Sequence, residues 1–171
     1  MELQFRERVR DYNHTVFDNG TTHKVKTGGV FELGSVSADI AYLDPPYAPP
    51  SDDADYIKRY HFLEGLSLYW RGADIMEETK TKKLRKRFTP FAYKRTIEAA
   101  LAETFDQFRH SGAIVLSYSS NAVPSAERIV EILSQFKSHV EVREIAHTYS
   151  FGTHVRATRR SVNEYIFIGR D

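Results

Sequence analysis

The stretch Asp39-Ile40-Ala41-Tyr42-Leu43-Asp44-Pro45-Pro46-Tyr47-Ala48-Pro49-Pro50 decides how the rest of the chain is read. Residues 39–43 form a short β-rich run with a turn signal directly behind it. Pro45, Pro46, Pro49 and Pro50 remove backbone donors and fix φ, so residues 44–50 are neither helix nor central strand. A strand therefore ends at Leu43 and delivers Asp44 into a stiff loop. Downstream, residues 52–70 are predicted to be a helix, with Ser51 as N-cap and Asp52, Asp53 and Asp55 in its first turn. Thr89-Pro90 is predicted to open the next helix, in which Ile97, Leu101, Phe105 and Phe108 make an apolar stripe that Gly112 closes. Residues 113–118 read as a buried parallel strand. Residues 125–136 read as a helix with Ile129, Ile132, Leu133 and Phe136 on one side. Residues 139–149 and 162–168 read as strands that pair as an antiparallel hairpin, joined by a loop carrying Arg156, Arg159 and Arg160. Upstream, residues 1–13 begin a helix, and residues 22–27 are a short strand closed by Gly28-Gly29. Strands alternating with helices predict an α/β fold with a mainly parallel sheet. Ligands of such sheets bind beyond the carboxyl ends of the strands, where the Asp44 loop is placed.

The chain has 171 residues, enough for one domain with a real core. Its 41% hydrophobic and 27% charged content argues against wholesale disorder. There is no cysteine, which excludes disulfides, thiolate catalysis and cysteine-built zinc sites. No apolar run approaches the roughly 18 residues of a membrane span. The charged start lacks the apolar stretch of a signal peptide, so a cytoplasmic location is expected. None of the seven histidines pairs at the i, i+4 spacing of helical ligands, and no metal is expected. Ser117, Ser119 and Ser120 lie near a strand end but lack a nucleophile-elbow pattern.

The net charge of +1 hides an asymmetry. Lys80, Lys82, Lys83, Arg85, Lys86, Arg87, Lys94 and Arg95 lie in one window that holds no acid, while the rest of the chain is net acidic. Such a segment is either a solvated basic face or the docking site of a polyanion.

A strand running into Asp44-Pro45-Pro46-Tyr47 resembles motif IV of the amino-group methyltransferases that act on adenine N6 in DNA. The resemblance continues in order along residues 22–169. Tyr47-Ala48-Pro49-Pro50, followed by Tyr56, Arg59, Tyr60, His61, Phe62 and Glu64, is similar to the stretch after that motif in the Dam-like, D12-class adenine methyltransferases. Residues 113–121 resemble their motif VI strand, and Asn163-Glu164-Tyr165-Ile166-Phe167-Ile168 their terminal strand. The resemblance implies a partial S-adenosylmethionine-dependent methyltransferase sheet, Rossmann-like, with a C-terminal antiparallel β-hairpin. It implies methyl transfer from S-adenosylmethionine to an adenine flipped out of double-stranded DNA, in the setting of restriction–modification. Asp44, Pro45, Pro46 and Tyr47 become the catalytic residues, with Asp44 also next to the cofactor. The adenine amine is a poor nucleophile because its lone pair is delocalised into the ring. A carboxylate from Asp44 and the carbonyl of Pro45, each accepting one N–H bond, draw the nitrogen toward tetrahedral geometry and free that pair. Tyr47 offers a flat face to the extruded base. The basic window, with Arg156, Arg159 and Arg160 as a second contact, would neutralise phosphates. Arg59, Tyr60 and His61 are read as helix-packing residues.

The chain also departs from that family. The Gly-rich cofactor motif Phe-x-Gly-x-Gly is missing. Gly28-Gly29 is a lone pair, and Thr27-Gly28-Gly29 stands where an acidic residue should end the third strand, with Glu32 nearby. Residues 1–171 are therefore read as one domain, the C-terminal part of a methyltransferase catalytic domain from motif IV onward, with a remnant of the third strand. The family sheet runs 3-2-1-4-5-7-6. Without strands 1 and 2 the fourth strand keeps an unpaired edge. The expected partner is a second polypeptide carrying the S-adenosylmethionine-binding half, the alternative being a truncated gene product. The chain alone is expected to bind the cofactor weakly and to be inactive. Two other functions stay open: a non-catalytic nucleic-acid-binding remnant, and an enzyme that modifies RNA bases or protein amides.

Overall fold

A computed structural model describes residues 2–50, 56–85, 88–150 and 159–171. Four strands form one sheet in the order β1-β2-β4-β3, where β1 is Ile40–Leu43, β2 Ala113–Ser119, β3 His139–Ser150 and β4 Arg159–Arg170. β1 and β2 are parallel, from Ile40 opposite Ala113 to Leu43 opposite Leu116. β4 lies between β2 and β3 and runs antiparallel to both. The sheet is therefore mixed rather than mainly parallel. β4 runs back along β3 and lies beside β2, so a single parallel pair remains.

β2 is central because its residues suit burial. Ile114, Leu116 and Tyr118 are fully buried on the face covered by two helices. The first, α3 (Ile97–Gln107), buries Ile97, Leu101 and Phe105 as the apolar stripe predicts, together with Ala100 and Thr104. The second, α4 (Ala126–Leu133), buries Ile129, Ile132 and Leu133. Ser125 is its N-cap, its Oγ accepting from the Arg128 amide at 3.3 Å. Gly112 is needed for more than ending a helix. It enters β2 so close to the preceding segment that a Cβ would lie 2.8 Å from the Asp39 carbonyl oxygen.

The opposite face carries Ile40, Tyr42, Val115, Ile166 and Ile168, and no described element packs on it. Ile40 is 64% and Tyr42 62% exposed. Among the described residues β1 pairs with β2 alone, so its outer edge is bare.

Several local expectations are corrected. Residues 22–27 form no strand. Val25 is 93% exposed, and one valine between Lys24 and Lys26 offers too little apolar surface to dock. The first helix, α1 (Glu2–Thr15), buries nothing and carries local ion pairs such as Arg6 to Glu2 at 2.8 Å. Thr89-Pro90 opens a single 3₁₀ turn, Pro90–Ala92, not α3. That turn anchors the segment before β1, since Phe91 stacks on Phe31 with centroids 5.5 Å apart. The long helix after the proline loop is described as α2 (Tyr56–Ser67); Ser51, Asp52, Asp53 and Asp55 lie outside the described residues. It ends before Trp70 because Tyr69 and Trp70 take left-handed φ of 52° and 53°. Tyr60 is 52% exposed and Phe62 59%.

At the end of the sheet away from the proline loop, Lys137 is buried. Its Nζ donates to the Ser111 carbonyl and to Asp171 Oδ2, both at 2.7 Å. Lys137→Met is expected to cost about 1–3 kcal/mol, because it strands the Ser111 carbonyl. The Lys137 hydrogen bond holds the Asp171 carboxyl below its ordinary range. Its linked stabilisation is therefore complete above that range and lost as pH falls through the lowered value. The gap in urea midpoint between wild type and variant, measured from pH 7 to 2.5, should narrow on acidification by the Asp171 part and keep the part due to the Ser111 carbonyl; a gap independent of pH would contradict this.

Candidate active site

The proline loop leaves the carboxyl end of β1 and is held against β2 and the loop that follows it. The Tyr47 hydroxyl donates to Asp44 Oδ1 at 3.1 Å and lies 3.3 Å from Ser117 Oγ. With its one proton spent on Asp44, Tyr47 accepts the hydrogen from Ser117. Burial pushes the Tyr47 phenol up to about 12, the Ser117 hydrogen bond opposing the rise and the Asp44 carboxylate adding to it. Tyr47 thus stays protonated, and stays a donor, across the physiological range. Its ring meets Tyr118 edge to face at 5.1 Å. Asp44 is exposed, and its second oxygen has no protein partner among the described residues.

The backbone is fixed equally firmly. Ala48 bridges Val123, the Val123 amide donating to the Ala48 carbonyl at 2.8 Å. Tyr118 Oη donates to the Val123 carbonyl at 2.5 Å and accepts from the Ala48 amide at 3.3 Å. The Ser120 amide donates to the Asn163 carbonyl at 2.8 Å, tying the same loop to β4. Asp44, Pro45, Pro46 and Tyr47 are thus brought together in one loop. Ser117 and Tyr118 complete the cluster, and the sequence reading missed them as site residues. The signal was present: two polar groups at the carboxyl end of an otherwise apolar buried strand.

The basic window does not keep its full charge. Ile75 and Leu84 form an isolated bridge that folds residues 74–85 back on themselves. Lys82 Nζ then pairs with Glu77 at 2.8 Å, and Arg85 with Asp74 at 3.1 Å and Glu78 at 3.9 Å. The acids lie just upstream of the window, so the fold restores a neutralisation that the linear count hid. Lys80, Lys83, Lys94 and Arg95 have no acidic partner among the described residues. Lys86, Arg87 and Arg156 lie outside the described residues. Arg159 and Arg160 stand in β4, opposite Ser150 and Tyr149, and not in the connecting loop. Glu32 sits in a 3₁₀ turn and accepts from the Gly29 amide at 3.4 Å, capping its own helix. No group of three metal-ligating side chains occurs among the described residues. None of the described helices is long and apolar enough to cross a membrane.

The sequence profile of the D12 class N6 adenine-specific DNA methyltransferases matches residues 2–148. The chain belongs to that family. This D12 methyltransferase chain is 29% identical to the type II methyltransferase M2.HphI of Haemophilus parahaemolyticus over 149 residues, which are 86% of this chain and 40% of the relative. It is 35% identical to M.FokI of Planomicrobium okeanokoites over 114 residues, 63% of this chain and 15% of the relative. It is 29% identical to M.CviAII of Paramecium bursaria Chlorella virus 1 over 137 residues, 80% and 38% of the two chains. The D12 chain therefore spans well under half the length of these relatives. No solved structure matches it significantly.

The residues described do not by themselves fit S-adenosylmethionine. Asp44 stands at a strand end where the cofactor would meet it, but residues 22–29 are exposed coil and Glu32 is turned onto its own amide. Among the described residues no Gly-rich turn follows an apolar strand.

Proposed function

We propose that this chain is the catalytic and DNA-contacting part of a DNA adenine-N6 methyltransferase of a restriction–modification system. What supports the reading best is the Asp44–Tyr47 loop, stiff, tied to β2, and presenting one unpartnered carboxylate oxygen beside an aromatic ring. An adenine turned out of the duplex would place its amine between Asp44 and the Pro45 carbonyl. Both acceptors are set before the base arrives, so little reorganisation is needed as the amine becomes tetrahedral. Tyr47 would cover a face of the base. S-adenosylmethionine supplies the electrophilic methyl group. Its binding half comes from a second polypeptide docked on the bare edge of β1, in the sheet position of the family's first strand. Residues 1–171 then act as one domain within a partial Rossmann-like sheet.

Double-stranded DNA is the partner of the basic segment, and Lys94 and Arg95 are, with Lys80 and Lys83, the contacts that no acid compensates among the described residues. Lys94→Gln with Arg95→Gln should lower the slope of log affinity against log salt by about 2, whereas Lys82→Gln should leave it nearly unchanged. Equal effects from both variants would refute this division.

The direct test is transfer of labelled methyl groups to unmethylated duplex DNA, RNA and protein, with and without a chain carrying Phe-x-Gly-x-Gly. Label in adenine of duplex DNA, and only with the added chain, is expected. DNA binding without any transfer would leave a non-catalytic binding module; label in RNA or protein would reassign the substrate.

A further inference from the structure

Resting on that reading of the Asp44 loop, we infer that Tyr118 is a positioning residue for the reaction. Its hydroxyl sets where the loop presents its acceptors. The side chain is fully buried at the carboxyl end of the central strand. A buried phenol needs hydrogen-bond partners, and Tyr118 spends its hydroxyl on two backbones at once. It donates to the Val123 carbonyl at 2.5 Å and accepts from the Ala48 amide at 3.3 Å. Ala48 directly follows Tyr47, and Val123 is the residue that bridges it. The ring edge also meets the Tyr47 ring at 5.1 Å. One side chain thus joins the loop after β1 to the loop after β2 and supports the ring beside Asp44. The prolines stiffen the loop internally but do not place it relative to the sheet, because a stiff loop still swings about its ends. Tyr118 supplies that placement. Its hydroxyl bonds to the backbones of Val123 and Ala48 and its ring meets Tyr47, so its effect runs through Ala48 and Tyr47.

Tyr118→Phe keeps the packed ring and removes only the oxygen. On the full chain, exchange of the Ala48 amide should quicken about tenfold, while the Leu116 and Phe167 amides in the sheet stay unchanged. In the methyl-transfer assay with the cofactor-binding chain added, kcat should fall about tenfold, with KM for DNA changed less than about twofold. General loosening of the fold would move the sheet amides and KM together, so that pattern overturns the inference, as does wild-type exchange at Ala48 or wild-type kcat. Asp44→Ala, run in parallel, separates the two claims. If it retains full transfer, the reading of the loop as catalytic fails. If it abolishes transfer while Tyr118→Phe behaves as wild type, only the positioning role fails. If Tyr118→Phe does not fold, Ser117→Ala with Ser117→Thr interrogates the same strand end through the Tyr47 hydroxyl. Loss in the alanine variant and recovery in the threonine variant support placement from β2, and equal activity in both overturns it.

Discussion

Replacing Asp44 with Ala is expected to lower methyl transfer to DNA by about a thousandfold or more. The substitution removes the only carboxylate among residues 44–50, and with it the acceptor proposed to polarise the adenine amine. It also leaves the Tyr47 hydroxyl without the partner it holds at 3.1 Å. Asp44 is exposed, so the thermal midpoint should move by no more than a degree or two. Asp44→Asn keeps one carbonyl oxygen but turns a donor toward either the amine or Tyr47, and should retain part of the activity that Ala loses. Initial rates on unmethylated genomic DNA, with the cofactor-binding chain in excess, give the comparison. Transfer by Asp44→Ala at the wild-type rate would remove the carboxylate from the mechanism.

The second large effect concerns the methyl donor. Calorimetric titration of the 171-residue chain with S-adenosylmethionine should show no binding tighter than about 100 μM, roughly a hundredfold weaker than a micromolar site and so about 2.7 kcal/mol short of it. A nucleoside-sized ligand needs a concave, largely preformed pocket with a few converging polar groups. Here Asp44 is the one such group proposed, while residues 22–29 are exposed coil and Glu32 is engaged to Gly29. Adding a chain with the Gly-rich motif should restore low-micromolar affinity. A low-micromolar dissociation constant for the chain alone would show that the described residues build a donor site of another design.

Elements with strong local chemistry were legible in the sequence. The stripe Ile97, Leu101, Phe105 marked α3, the stripe Ile129, Ile132, Leu133 marked α4, and the proline cluster marked the end of β1. Elements fixed by tertiary partners were not. Residues 22–27 alternate like a strand but have nothing to pair with, and alternation alone does not hold a strand in water. Sheet direction was misjudged because β4 is placed by β2 and β3, information that no local window contains. At the site, Asp44 and Tyr47 announce themselves through the prolines around them. Ser117 and Tyr118 lie 70 and more residues away from Asp44 in sequence, and only the parallel register of β1 on β2 brings them to it. The basic window was legible as a charge run, but its cancellation by Asp74, Glu77 and Glu78 depends on a turn closed by Ile75 and Leu84.

Among the described residues the sheet is covered by helices on one face and left apolar on the other, beside a bare edge at β1. In colloidal terms that surface sets a ceiling on the free monomer. Two copies meeting edge to edge would each hide Ile40 and Tyr42 and complete each other's hydrogen-bond ladder, so self-association competes with any partner for the same strand. On the proposed reading, a partner docked on β1 would hide the same surface, so the solubility of the free chain is expected to rise with the partner's supply, and unpaired chain would be the fraction exposed to chaperones and proteases.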